Sequence, residues 1–253
     1  MNFNRVVLLL ATVSVVLSVS ACSSSLTAVE EEEASSATTD WLDEKFGMVG
    51  DQQFAKFSDR VVNRLANAAR TVNLSSGQKQ RLAHYKWSVF LLNVPQSNAF
   101  SVGNGTIIMT RGLMVDLSSE AQFAYIVAHE MAHQILGHTN EALAESKEHD
   151  VTPAFYFDVD SEIDSDRLAL YLVGQARYDI NQAIPAFSLA YRNQSAGVAD
   201  VDTTARQHVL ETRGANLQGL VAEARQKAPV VSIDSTREFN KTRDEIIRKY
   251  GTK

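Results

Sequence analysis

Residues 128–138 read AHEMAHQILGH, and this stretch decides how the rest of the chain is interpreted. It holds three of the six histidines, and His129, Glu130 and His133 spell H-E-x-x-H. On an α-helix, positions i and i+4 project from one face about a turn apart. His129 and His133 can then offer imidazole nitrogens to one zinc ion, with Glu130 beside them as a base that does not itself ligate. Zinc that works on a substrate needs a third protein ligand and one open position. His138 lies about 140° further round the helix from His133, and Gly137 predicts that the helix has already ended. His138 therefore reads as a helix-end residue or a partner behind the ligands, and the third ligand must be sought elsewhere.

The helix that carries the motif has the character of a core element. Residues 119–136 include Phe123, Ile126, Val127, Ala128, Met131, Ala132 and Ile135, apolar around most of the girth. Ser119 with Gln122 reads as a capping box, and Gly137 stands where a C-terminal cap belongs. Upstream, Phe54, Phe57, Val61, Leu65, Ala68 and Val72 recur at three- and four-residue steps, which predicts an amphipathic helix of about five turns. Trp87, Val89 and Leu91 alternate with Ser88, Phe90 and Leu92, as in a strand covered on both faces. Residues 100–110 read as β-structure around the tight turn Gly103-Asn104-Gly105. Downstream, helices are expected over 162–173, capped by Ser161, and around 181–192, 213–227 and 236–249. Helix dominates, with a small sheet before the motif helix, so the fold class is α+β and mainly helical.

The N-terminus is a targeting segment. Arg5 supplies one positive charge, and residues 6–19 are apolar apart from Thr12, Ser14 and Ser18. That run is shorter than the roughly 20 residues of a membrane span and fits a secretory signal, with an uncleaved anchor as the alternative. Val19-Ser20-Ala21-Cys22 resembles a bacterial lipobox, which makes Cys22 a lipid anchor. It is the only cysteine, so an intramolecular disulfide is ruled out. Ser23 after it implies sorting to the outer membrane of a Gram-negative cell, facing the periplasm. Residues 23–40 are rich in Ser, Thr, Ala and Glu and read as a solvated tether. Three segments follow: a signal peptide over 1–21, the acylated cysteine and tether over 22–40, and one globular domain over 41–253. Its 45% hydrophobic content is ordinary for a folded domain. The formal charge of −6 and pI near 5.5 give no general attraction to nucleic acid, which is excluded as a partner.

Candidates for the third ligand lie in DVDSEIDSDRLAL, residues 158–170. Glu162 and Asp166 are four apart, so one carboxylate can ligate while the other, a turn away, accepts the free N–H of a ligating histidine. Spacing alone does not choose between Glu162 and Asp158, Asp160 or Asp164.

Over residues 50–225 the chain resembles the HtpX/BepA type of gluzincin zinc metallopeptidases, relatives of the Ste-type CAAX proteases. The resemblance rests on Asn98-Ala99-Phe100, Gly103-Asn104-Gly105, Thr110-Arg111-Gly112-Leu113, the H-E-x-x-H helix, and Glu162-Ile163-Asp164-Ser165-Asp166, in that order. It implies a zincin-like domain that binds one zinc ion through His129, His133 and Glu162, with Glu130 as general base and Asp166 orienting a ligand. Ser165 stands where the family pattern carries alanine. The resemblance also implies that His208, with Arg213 after it, is a fourth ligand of a resting state or a stabiliser of the oxyanion. The strand at Asn98, Ala99 and Phe100 would hold an extended substrate by strand addition. The expected activity is endopeptidase cleavage of misfolded or unassembled envelope proteins, with the outer-membrane assembly machinery as a further partner. The alternative is an assembly chaperone whose zinc site is latent or structural.

Overall fold

The computed structural model describes residues 25–149, 157–191, 203–227 and 236–252. Cys22 lies outside the described residues. The elements in order are α1 (Ala28–Phe46), α2 (Gln52–Ala69), α3 (Ser76–His84), β1 (Ser88–Leu92), β2 (Ala99–Gly103), β3 (Thr106–Thr110), α4 (Arg111–Asp116), α5 (Glu120–Leu136), α6 (His138–His149), α7 (Val159–Gln175), α8 (Ala183–Tyr191), α9 (Thr203–Lys227) and α10 (Thr236–Tyr250). The fold is mainly helical with one small sheet, as the periodicities predict. No helix among the described residues is long and apolar enough to cross a membrane.

The sheet has the order β1-β3-β2, with β3 in the middle, parallel to β1 and antiparallel to β2. Side chains alternate across it. Val89, Leu91, Ile107 and Met109 face the main core with α2, α5 and α7, whereas Leu92, Val102 and Ile108 meet Leu42 of α1 in a second, smaller core. Each fully buried aliphatic chain of this kind contributes about 1.5–3 kcal/mol. One position departs from the expected double cover: Phe90, on the α1 side of β1, is 41% exposed.

The N-terminal helix corrects the reading of residues 22–40 as a flexible tether. Thr27 and Glu30 form a capping box, and the helix then runs 19 residues. Its buried face is polar: Glu31 and Ser35 are 4% and 3% exposed. Glu31 accepts from Tyr85 Oη (2.8 Å), the Asn104 N–H (3.0 Å) and Asn140 Nδ2 (2.8 Å), and Ser35 donates to the Gly103 carbonyl (3.0 Å). The helix is thus bolted to the turn between β2 and β3. Gly103 and Gly105 take positive φ there (91° and 80°), as does Asn104 (48°).

Three other boundaries differ from expectation. Asp158, not Ser161, caps α7, because its carboxylate accepts from both the Ser161 N–H and hydroxyl. Helix α9 begins ten residues before Arg213. At α5 the Ser119 hydroxyl accepts from the Gln122 N–H, but the return bond goes from the Ser118 N–H to Gln122 Oε1. The Thr110-Arg111-Gly112-Leu113 stretch is a joint. Thr110 caps α4, and a Cβ at Gly112 would stand 2.0 Å from the Pro95 carbonyl oxygen.

Candidate metal centre

Helix α5 is buried almost throughout and packs most extensively on α7, which brings His129 and His133 against the acidic start of that helix. His129 Nε2 and His133 Nε2 lie 3.0 Å apart, and Glu162 Oε2 on α7 is 3.2 Å from the first and 3.8 Å from the second. A four-coordinate metal with bonds of about 2.0–2.1 Å would place its ligand atoms roughly 3.3 Å apart, so the triangle has a metal's dimensions. The donor chemistry agrees. Glu162 Oε2 is buried and takes no hydrogen bond, although Arg213 Nη1 approaches to 2.6 Å off the donor direction. Two imidazoles and a carboxylate converge on one point, where a cation would satisfy all three. Of the alternative acids, Asp158 caps α7, Asp164 pairs with Arg167 at the surface, and Asp160 is exposed.

Behind the triangle, Asp166 Oδ1 is 3.0 Å from His129 Nδ1 and accepts from Tyr125 Oη at 2.6 Å. Arg213, 2% exposed, donates from Nε and Nη2 to the same carboxylate at 2.7 and 2.9 Å. Its guanidinium therefore bridges Asp166 and Glu162 and holds two acids in one buried pocket. That bridge is not what the sequence predicts for Arg213. His208 is on the same helix, but its side chain lies outside the described residues.

The charges follow from this packing. Burial and Arg213 push the His129 pKa down, but Asp166 and Glu162 overcome both and raise it to about 9. Burial takes His133 down to about 3. Burial opposes ionisation of Glu162 and Asp166, yet Arg213 and His129 hold both below the usual carboxylate range. Glu130, 7% exposed, is pushed up to about 7 chiefly by burial, against His129, Arg213 and the nearby Ser101 N–H. Ser101 is on β2, one of the two edge strands.

A small cavity beside His129 is lined by Asn98, Ala99, Tyr125, Ile126, His129, Glu130, Ala190 and Arg213. Asn98 and Ala99 thus meet the site, whereas Phe100 turns to the other face and packs on the smaller core. Sequence reasoning missed Tyr125 and the buried bridge of Arg213. Tyr125 sits four residues before His129 on the same face of α5, which is the signal that would have found it. His138 begins α6, with Nδ1 3.1 Å from His133 Nδ1. His84 is exposed, and the side chain of His149 lies outside the described residues.

Comparison with known proteins agrees with this geometry. A stretch of 60 residues is 32% identical to a mitochondrial metalloendopeptidase OMA1 of Arabidopsis thaliana, covering 24% of this chain and 12% of that protein. Another of 63 residues is 30% identical to the mitochondrial metalloendopeptidase OMA1 of Schizosaccharomyces pombe, covering 25% and 19%. The chain thus matches less than a fifth of either relative's length. Residues 59–218, more than half of the chain, match Peptidase family M48 and contain the whole constellation from Asn98 to Arg213. The chain belongs to peptidase family M48.

Proposed function

We propose that this protein is a zinc-dependent endopeptidase held at the periplasmic face of the outer membrane by a lipid on Cys22. Its substrates on this reading are extended segments of misfolded or unassembled envelope proteins. The observation that carries the catalytic part is the placement of Glu130, a buried carboxyl beside His129 and at the wall of the cavity that Ala99 of an edge strand also lines. Two imidazoles and one carboxylate at tetrahedral spacing favour zinc among the common metals. Zinc held by His129, His133 and Glu162 would polarise the scissile carbonyl and acidify a water molecule. Glu130 receives the proton of the attacking water and returns it to the departing amide nitrogen. Asp166 accepts the Nδ1–H of His129 and keeps Nε2 turned toward the triangle. Arg213 keeps the two acids ionised and in place. As an edge strand that reaches the cavity at Ala99, β2 would hold an extended peptide by strand addition, a mode that reads length more than sequence.

The purified protein should bind about one zinc per chain and cleave casein or an unfolded porin. Glu130→Gln should retain the metal and lose cleavage by about 10²–10⁴-fold. Equal cleavage by the two proteins would overturn the mechanism. The anchor has a separate test. Cys22→Ser should move the protein out of the membrane fraction, and persistence there would favour an uncleaved anchor.

A further inference from the structure

We infer that His138 and Ser165 are positioning residues for His133, a neutral counterpart to the support that Asp166 gives His129. The inference rests on reading His129, His133 and Glu162 as metal ligands. To present a lone pair at Nε2, His133 must carry its proton on Nδ1. That nitrogen lies 3.1 Å from His138 Nδ1, which must then be the acceptor, with the His138 proton on its own Nε2. Ser165 Oγ is 3.3 Å from the same His138 nitrogen. Ser165 is fully buried on α7, between Glu162 and Asp166, so the contact ties His138 to the helix that supplies the third ligand. Alanine, which the resembled pattern carries at this position, has no atom for that contact.

The backbone is built to allow it. Gly137 ends α5 with φ of 105°, and α6 starts at the next residue, folding the His138 ring back onto His133. A residue with a side chain would be strained in that conformation. Phe157 stacks on His133 at 4.1 Å between ring centroids and 22° between planes, which fixes the plane in which Nδ1 points. The two histidine ligands therefore have different supports. His129 faces an anion that a tyrosine hydroxyl holds, and His133 faces an imidazole that a serine hydroxyl contacts in turn.

The test uses metal-stripped full-length protein and zinc affinity by competition with a chelator, with the visible spectrum of the cobalt-loaded form as a second readout. His138→Leu should weaken zinc about 10–100-fold and shift the cobalt bands, without lowering the melting temperature of the metal-free protein. His138→Asn, whose side-chain oxygen can accept in place of Nδ1, should recover most of the affinity. Ser165→Ala should cost about fivefold, the worth of one neutral hydrogen bond. Wild-type affinity and an unchanged cobalt spectrum in His138→Leu would overturn the inference. If His138→Leu does not fold, equal affinities for His138→Asn and His138→Ala would do the same. A wild-type protein that binds no zinc removes both this inference and the metal reading beneath it.

Discussion

Glu31 on α1 and Glu162 on α7 are both helical carboxylates turned inward, and the protein treats them oppositely. Around Glu31, each oxygen is met by an aligned donor, from Tyr85, Asn140 and the Asn104 N–H. Around Glu162, the buried Oε2 faces two imidazole nitrogens and an ill-aligned guanidinium and takes no hydrogen bond. A carboxylate that only holds the fold together is saturated by its neighbours. One that serves chemistry is aimed at a place where a cation completes it.

Substitutions at the two sites should separate them, and the largest difference is in metal binding. Glu162→Ala should weaken zinc by more than the about 100-fold that a support residue is worth. Retained zinc in Glu162→Ala, with loss in Asp158→Ala, would move the third ligand. Glu31→Ala should leave zinc affinity unchanged and lower folding stability by about 3 kcal/mol in urea titrations, because three donors lose a charged acceptor. A tenfold loss of zinc affinity in that variant would show that the two regions are not independent.

The smallest effect concerns a third inward carboxylate, Asp51, which caps α2 and pairs with Lys249 of α10. Burial alone would raise its pKa; Lys249 and the Phe54 N–H more than offset this and lower it. A folded pKa below the unfolded value adds stability above the ordinary aspartate range, which is lost as pH falls through the folded value. Asp51→Asn keeps a capping oxygen and removes the charge. It should cost about 1 kcal/mol or less near about pH 6, where Lys249 is partly screened, and progressively less as pH falls below the ordinary aspartate range. A loss that does not change with pH would assign the effect to the cap instead of the charge.

The contrast between the two glutamates also explains what the sequence reveals. Helices α2 and α5 are legible because apolar residues mark their buried faces at helical spacing, and the β2–β3 turn because glycines flank Asn104. Helix α1 is hidden because the side chains it buries are Glu31, Ser35 and Leu42, two of them polar. Its one local signal is the Thr27-to-Glu30 capping box. In the site, the i,i+4 pairs His129–His133 and Glu162–Asp166 can be read within single helices. The Arg213 bridge cannot, because it joins residues from different helices and depends on how α9 packs against α7. Nor can spacing choose Glu162 over Asp158, since both lie at the start of α7 and only the capping geometry separates them.

On the proposed anchoring at Cys22, the first helix would also set the working radius of the protein. A free chain from Cys22 to residue 40 could extend about 60 Å and let the catalytic cleft sweep widely from its anchor. With Leu26 already bonded to Asn140, the leash from Cys22 is at most about 15 Å long. Because α1 grips the β2–β3 turn through Glu31 and Ser35, that short leash is fastened to the element that carries the edge strand. With a lipid on Cys22, the cleft would work within a thin layer above the bilayer, and a polypeptide would have to come to the membrane surface to be cut.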